Sequence, residues 1–241
     1  MDTLYREPAY YRMLFDGRSA DLPFYLQHAK SEILEIGVGA GRVAIALARE
    51  GHRVHGVDLA PDMLSALETR LAEEPPELAS RISFRQADAR TVRLDRTFAR
   101  VFIPFNGIAH YPSASDLSAL LGTVRAHLAP GGLFVFDAML PDPMLLAEGG
   151  SSTPSFTHPR TGEICRAEET YRYDTMTQIL TITTSIRERL RDSKEQVLSL
   201  TLRQFFPQET LLLLEHHGFE VLAREESLGD TLGYVCRARP V

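Results

Sequence analysis

The chain has 241 residues, a formal net charge of −6 and a hydrophobic fraction of 44%. These values are typical of one large α/β domain or of a domain with an insertion. The acidic balance argues against a surface that binds polyanions. Its two distant cysteines, Cys165 and Cys236, provide no disulfide framework. The polar N-terminus lacks the apolar core of a secretory signal, and no apolar run can cross a bilayer, so we expect a cytoplasmic protein.

The first 140 residues predict a helical cap followed by an alternating α/β core. Residues 1–30 have the apolar spacing of two helices that join near Gly17. From residue 31 onward, strands and helices alternate, which is typical of a parallel sheet covered on both faces. The segment Pro130-Gly131-Gly132 is a helix stop signal. The predicted strands are 33–36, 53–57, 81–85, 99–104 and 133–136, and the predicted helices are 42–50, 61–71 and 115–128.

The pattern changes after the fifth strand. Residues 141–162 are rich in Pro, Gly and Ser and predict an irregular excursion, whereas residues 164–206 alternate like antiparallel strands with a turn near 174–177. A helix over 207–217 precedes two last strands. We therefore predict a Rossmann-like α/β fold with a seven-stranded, mostly parallel sheet and helices on both faces. Its predicted parts are an N-terminal helical cap (1–30), a core (31–140 and 207–241) and an antiparallel β insertion after strand five (141–206).

A glycine-rich turn joins the first predicted strand to the following helix. Gly37, Gly39 and Gly41 are spaced two apart, and Asp58 ends the next strand. Glycines allow a ligand to approach the backbone, and the helix N-terminus offers unpaired N–H groups. A carboxylate at the second strand tip can accept hydrogen bonds from both hydroxyls of a ribose. Arg42 occupies the place of the third glycine of the dinucleotide fingerprint, so the turn predicts a nucleotide cofactor without a pyrophosphate.

Four segments resemble, in order, the motifs of class I S-adenosylmethionine-dependent methyltransferases. Leu34–Gly41 resembles the first motif, and Val57–Leu64 resembles the second, whose acid binds the ribose. Gln86–Ala89 is similar to the third, whose acid and following amide hold the adenine edge. Leu128–Asp137 is similar to the family's segment that runs before and through the fifth strand. The resemblance spans roughly residues 31–137, and it implies a class I methyltransferase fold with S-adenosylmethionine as cofactor and S-adenosylhomocysteine as product.

The remainder of the chain resembles small-molecule methyltransferases, such as aminosugar and glycine-type N-methyltransferases. The likeness lies in the N-terminal helix, the insertion and the segment Arg203–Pro207 before a helix. The resemblance implies that Tyr11 and Arg18 close over the cofactor, with Arg18 facing its carboxylate; simple helix packing is an equal alternative. The implied cofactor-binding residues are Tyr11, Arg18, Glu35, Gly37, Gly39, Gly41, Asp58, Leu59, Met63, Asp88, Ala89 and Phe105. The implied substrate residues are Phe15, Asn106, Asp137 and Arg203.

Methyl transfer from a sulfonium is an in-line displacement that needs alignment of the nucleophile and exclusion of water. A base is expected near the tip of strand four, and His110 is the best-placed candidate, although a histidine that fixes its loop is the alternative. Asp137 either orients a substrate amine or hydroxyl or caps a turn. Arg203 lies on an alternating strand, where a solvent-facing side chain is the alternative. No metal site is predicted, because the histidines have no metal-ligand spacing.

The predicted function is methyl transfer to an N or O nucleophile of a small molecule. A methyltransferase acting on a protein or nucleic acid is an alternative, but the strand-four tip reads Ile103-Pro104-Phe105-Asn106 instead of the Pro-Pro-aromatic segment of amino-methylating DNA enzymes. A nicotinamide oxidoreductase is disfavoured by Arg42, and a non-catalytic cofactor-binding member is a further alternative. We expect a small-molecule partner, no nucleic acid and no membrane, and we allow for a homodimer.

Overall fold

The computed structural model describes residues 2–157, 162, 164–187, 196–226 and 228–240. Its strands form one large mixed sheet and one smaller antiparallel sheet. In chain order the strands are β1 (Glu32–Ile36), β2 (Arg53–Asp58), β3 (Ile82–Gln86), β4 (Phe98–Ile103), β5 (Leu128–Met139), β6 (Gly150–Ser152), β7 (Ser155–Thr157), β8 (Ile164–Asp174), β9 (Ile179–Arg187), β10 (Gln196–Arg203), β11 (Phe219–Glu225) and β12 (Thr231–Ala238).

The large sheet has the strand order β11-β12-β5-β4-β1-β2-β3. Strands β1 to β5 pair in parallel, whereas β12 lies antiparallel between β5 and β11. The predicted seven-stranded, mostly parallel sheet is therefore confirmed. Because the parallel strands share one direction, the carboxyl ends of β1, β2, β4 and β5 meet at one edge, which is where open α/β sheets bind ligands.

Helices cover the sheet as the alternating pattern predicted. Helix α4 has Pro61 in its first turn and Asp62 near its positive end, and the hydroxyl of Ser113 accepts the amide proton of Asp116 at the start of α6. The helices are α1 (Pro8–Phe15), α2 (Leu22–His28), α3 (Arg42–Arg49), α4 (Pro61–Glu73), α5 (Pro76–Ala79), α6 (Ala114–His127), α7 (Pro143–Glu148) and α8 (Pro207–His216), with 3₁₀ helices at Thr3–Arg6 and Gly107–His110.

The fifth strand is longer than predicted. Helix α6 ends at His127, one residue before its predicted end, and β5 begins at the next residue, so Pro130-Gly131-Gly132 lies inside the strand instead of between the two elements. The pairing of β4 with β5 shifts register between Phe98 and Arg100. This irregularity accommodates the Pro-Gly-Gly segment, which a regular ladder would reject.

The insertion contains more regular structure than the sequence predicted. Helix α7 and strands β6 and β7 occupy part of the expected irregular excursion, and Asp142 caps α7 by accepting the amide protons of Met144 and Leu145. Strands β8, β9 and β10 pair antiparallel, which confirms the antiparallel insertion, and the turn between β8 and β9 lies at 175–178. Residues 158–161, 163 and 188–195 of the predicted excursion and strands lie outside the described residues.

The core lies on both faces of the large sheet. Phe134 and Phe136 are fully buried and stacked, with ring centroids 4.7 Å apart, as the strand periodicity predicted. A separate apolar cluster joins the N-terminal segment to the insertion through Leu4, Tyr10 and Leu198. The first residues of the chain are thus attached to the small sheet as well as to the core. Within the described residues, no helix combines the length and apolarity needed to cross a membrane.

Candidate active site

A cavity of about 380 Å³ opens where β1, β2 and β4 end. Its size falls within the roughly 300–1,000 Å³ of small-molecule pockets. One wall comes from the strand ends and the glycine turn, and the other comes from the N-terminal segment and the loop after β4. The sequence-predicted residues that line it are Tyr11, Glu35, Gly37, Gly39, Asp58, Leu59, Met63, Asp88, Ala89, Phe105 and His110.

The glycine turn has the backbone conformation that its residues favour. Gly37, Gly39 and Gly41 have φ values of 77°, 52° and 80°, in the left-handed region where other residues are strained. Gly41 caps α3, and a Cβ there would collide with the side chain of Leu67 on α4. Gly41 therefore supports the cavity from behind without lining it.

Asp58 holds the turn in place. Its carboxylate accepts the amide protons of Gly39 and Ala60, each at 2.8 Å. Burial raises the pKa of this carboxyl group, and the amide hydrogen bonds oppose that change. A carboxylate has about four acceptor positions, so each oxygen can still accept a hydrogen bond from a ligand hydroxyl. The arrangement fits the ribose-binding role implied for this acid.

Glu35 is the most unusual acid of the cavity. Its side chain is 1% exposed, and Oε2 has no hydrogen-bond partner in the described part of the chain. Burial raises the pKa of Glu35 to about 8, although the nearby Arg42 lowers it. A buried acceptor without a partner costs about 1–3 kcal/mol, so this atom is suited to a ligand donor.

Asp88 lines the cavity, but its carboxylate is engaged. Both oxygens accept from the Arg90 guanidinium, at distances of 2.6–3.0 Å, and this arginine also binds Asp116 at 2.7 Å. The hydrogen bonds from Arg90 hold the pKa of Asp88 below its usual range. The adjacent Ala89 is buried at the cavity wall.

His110 ends a 3₁₀ helix after β4 and faces the N-terminal segment. Its Nε2 lies 2.8 Å from the hydroxyl of Tyr5, and either atom can donate, depending on the tautomer. Burial lowers the pKa of His110 and raises that of Tyr5 well above its usual value, so both groups are neutral. Tyr11 packs beside Tyr5 with ring centroids 5.5 Å apart. This wall of the cavity therefore presents aromatic, neutral rings, and the nearby Asp2 also lines the cavity and opposes the lowering of the His110 pKa.

Six predicted residues do not line the cavity: Phe15, Arg18, Gly41, Asn106, Asp137 and Arg203. Arg18 is 47% exposed on its side chain and lies 3.7 Å from Asp230. Arg203 pairs with Glu209 at 2.7 Å and donates to the carbonyl of Pro112 at 3.2 Å, so it joins the insertion to the core. Phe15 contacts the ring of Phe105 behind the cavity wall.

Sequence reasoning did not identify Arg42 and Tyr5 as residues that line the cavity. Arg42 lines the cavity beside the glycine turn, where Arg18 was expected to supply the cation, and it donates to both oxygens of Asp21 at 2.7 and 2.5 Å. Tyr5 lies in a polar N-terminal stretch with no motif. A cation at the first position of the helix after the turn was a usable signal for Arg42, whereas nothing in the sequence places Tyr5 against His110.

The fold and the cavity define a class I methyltransferase architecture, with the ligand cavity at the carboxyl edge of a seven-stranded sheet. Residues 33–132, less than half of the chain, match the family model described as methyltransferase domain. The predicted family resemblance is thereby confirmed over the segment that contains the glycine turn and both strand-tip acids.

Three similar proteins extend this finding. The cypemycin N-terminal methyltransferase of Streptomyces sp is 30% identical over 127 residues, which cover 53% of this chain and 49% of that protein. The CcbJ methyltransferase from Streptomyces caelestis superposes with a TM-score of 0.78 at 23% identity, covering 93% of this chain and 90% of that one. CalS10 from Micromonospora echinaspora, an amino pentose methyltransferase solved with S-adenosylmethionine bound, gives 0.73 at 21% identity, with 95% of each chain covered.

The two structural matches show the fold across nearly the whole chain, including the insertion. The sequence matches are shorter: the chain spans less than half the length of the curated relatives that it matches.

Proposed function

We propose that this chain is an S-adenosylmethionine-dependent methyltransferase that transfers a methyl group to an N or O nucleophile of a small molecule. The observation that carries the proposal is one cavity with two different walls. The core wall presents Glu35, the glycine turn and Asp58, and the opposite wall presents the neutral pair Tyr5 and His110. The methyltransferase domain match and the S-adenosylmethionine-bound neighbour support the same reading.

The residues of the core wall fit the proposed cofactor. Glu35 offers a buried, unpartnered carboxylate oxygen, which suits an ammonium group, and Asp58 keeps acceptor positions for two hydroxyls. Met63 is buried against the glycine turn and supplies an apolar contact. Asp88 and Ala89 lie farther along the same wall, where the family resemblance implies the adenine edge.

The cofactor, when bound, supplies a methyl group already activated on a sulfonium. The chain's own contribution is to bind, to orient the acceptor and to exclude water, and such positioning can provide ~7–11 kcal/mol of a barrier. Tyr5, Tyr11 and His110 close the cavity over its acceptor side. His110 is kept neutral by burial, so its imidazole can accept a proton from an incoming amine or hydroxyl.

The proposal includes a small-molecule acceptor and a cytoplasmic location, and it allows for a homodimer. CalS10 is described as an amino pentose methyltransferase, and an amine acceptor is compatible with the acids of this cavity. The formal charge of −6 supports a partner other than nucleic acid.

Calorimetric titration with S-adenosylmethionine, S-adenosylhomocysteine and NAD tests the cofactor. We expect binding of the first two and none of NAD. Asp58→Ala is expected to weaken S-adenosylhomocysteine binding by about 1–3 kcal/mol, because it removes the hydroxyl acceptor and the amide bonds of the turn. Asp62→Ala is the matched control, since Asp62 is an exposed carboxylate four residues along the chain. Wild-type affinity in Asp58→Ala would contradict the ribose assignment.

A transfer assay tests the acceptor. The chain is incubated with methyl-labelled S-adenosylmethionine and separate panels of small amines, small alcohols, peptides and RNA. We expect label in a small amine or alcohol. Label only in peptides or RNA would contradict the acceptor class, and cofactor binding without transfer to any panel would favour a non-catalytic role.

A further inference from the structure

Asp137 occupies a central position that the transfer reaction does not yet explain. It lies near the end of β5, is 1% exposed and does not line the cavity. Its Oδ1 accepts the amide proton of Phe105 at 2.6 Å and the hydroxyl of Tyr25, and its Oδ2 accepts the amide proton of Asn106 at 2.9 Å. Burial raises the pKa of Asp137 to about 6, although the bonds from Tyr25 and Asn106 lower it.

The two amides bound by Asp137 belong to a strained turn. Phe105 and Asn106 follow β4 with φ values of 60° and 54°, both in the left-handed region. Such a conformation costs about 1–3 kcal/mol for a non-glycine residue and persists only where its surroundings enforce it. The carboxylate of Asp137 holds both amides, and the side-chain oxygen of Asn106 in turn accepts the amide proton of Met139 at 3.1 Å.

This turn sets two parts of the cavity wall. The ring of Phe105 lines the cavity, with the Arg42 guanidinium carbon 5.0 Å from its centroid. Asn106 caps the 3₁₀ helix Gly107–His110, so the direction of the turn also fixes where His110 lies. Replacing Asp137 should therefore alter the positions of both Phe105 and His110, although Asp137 itself does not line the cavity.

We propose that Asp137 is a positioning residue, whose carboxylate holds the Phe105–Asn106 turn in its left-handed conformation and thereby places Phe105 and His110 in the cavity. Tyr25 anchors this carboxylate from α2 of the N-terminal cap. The inference reassigns Asp137 from a substrate contact to a support of the cavity wall. Its consequence for ligand affinity rests on the proposed function, whereas its structural part stands without a ligand.

Amide hydrogen exchange in the ligand-free chain tests the structural part. We expect the amides of Phe105 and Asn106 to be protected in the wild type, because both donate to a buried carboxylate. In Asp137→Asn, one acceptor oxygen is replaced by an NH₂ group, and we expect exchange of these two amides to become at least about tenfold faster. Unprotected amides in the folded wild type, or unchanged exchange in Asp137→Asn, would overturn the proposal, and the wild-type measurement does so even if the variant does not fold.

Asp142→Asn is the matched control. Asp142 lies just after β5 and, like Asp137, accepts two backbone amide protons, from Met144 and Leu145 at 2.9 and 3.3 Å, but it caps the exposed helix α7. We expect Asp142→Asn to leave the exchange of Phe105 and Asn106 unchanged. Faster exchange there in this control would overturn the specific role of Asp137.

Titration with S-adenosylhomocysteine tests the consequence for the cavity. We expect Asp137→Asn to weaken binding about tenfold and Asp142→Asn to leave it unchanged. Wild-type affinity in Asp137→Asn would overturn the link from the turn to the cavity. If the wild type itself binds no S-adenosylhomocysteine, the proposed function fails, while the exchange measurement still decides whether Asp137 holds the turn.

Discussion

The two walls of the cavity are built in different ways. On the core wall, Asp58 reaches Gly39 across 19 positions of sequence, within one strand–turn–helix–strand unit. On the opposite wall, Tyr5 reaches His110 across 105 positions. The first wall depends on a local motif and the register of adjacent parallel strands. The second forms only when the N-terminal segment, the β4 loop and the insertion have assembled.

The walls also differ in their titratable groups. The core wall carries three acids with displaced pKa values, Glu35, Asp58 and Asp88, and burial favours the protonated form of Glu35. The opposite wall pairs an imidazole and a phenol that burial keeps neutral, and Asp2 lies beside them. A glycine-lined wall with several acids is suited to a polar cofactor, and a neutral imidazole is suited to accepting a proton from an acceptor. If the proposed function holds, cofactor binding and proton transfer should depend on different walls of this cavity.

The largest expected effect comes from a variant that should lower turnover while leaving cofactor affinity nearly unchanged. His110→Ala should lower kcat by about 10²-fold or more, the range of a lost acid–base group, while the affinity for S-adenosylhomocysteine changes little. Steady-state kinetics and calorimetry on the same variant give the two values. Equal losses of kcat and affinity would make His110 a structural residue, and the division between the walls would fail.

Tyr5→Phe extends the first prediction on the same wall. It keeps the ring that packs on Tyr11 and removes only the hydroxyl that contacts Nε2 of His110. We expect a smaller loss of kcat than in His110→Ala, because the imidazole remains. A loss as large as that of His110→Ala would move the proton-transfer role toward Tyr5.

The second prediction concerns a substitution behind the core wall, at a glycine that packs against α4. Gly41→Ala should lower the free energy of unfolding by about 3 kcal/mol, because a left-handed backbone and a collision with Leu67 add together. Gly51→Ala is the control: Gly51 has a φ of 90°, but a Cβ there meets no atom within 4 Å. It should therefore cost only the backbone strain, about 1 kcal/mol. Equal losses in urea unfolding would show that contact with α4 contributes nothing.

The third prediction concerns the buried acid of the core wall. The folded-state pKa of Glu35 is about 8, above its ordinary 4.5, so the folded chain binds more protons than the unfolded chain between these values. Stability from this group is therefore lost as pH rises through that window. Glu35→Gln should make the ligand-free chain about 2 kcal/mol more stable at pH 9 and change little at pH 5.

Urea unfolding at both pH values measures this difference. Asp16→Asn is the control, because Asp16 also lines the cavity but pairs with Arg12 at 2.9 Å and Arg70 at 3.5 Å. Removing a paired carboxylate should not stabilise the chain at pH 9. If Glu35→Gln is no more stable than the wild type at pH 9, then the folded chain does not hold a buried, ionised Glu35 at that pH.

Much of the core was predictable because its signals are local. The β–turn–α units, the glycine turn and Asp58 follow from short patterns, and the seven-stranded sheet follows from their alternation. The end of α6 was predicted to within one residue, but the start of β5 was not, because Pro130-Gly131-Gly132 is accommodated by an irregular pairing of β4 with β5 that no local pattern reveals. Helix α7 was missed because its capping residue, Asp142, lies within a stretch whose prolines and glycines indicated a loop.

Local patterns were enough to predict the class of fold and most residues of the core wall, since strand ends and helix starts place those residues at one edge of the sheet. The assembled fold was needed to show that Tyr5 faces His110, that Arg42 lines the cavity whereas Arg18 does not, and that Asp137 accepts the amide protons of the Phe105–Asn106 turn. Each of those outcomes depends on contacts between segments distant in sequence. Burial then sets their charge state, and burial is a property of the assembled molecule.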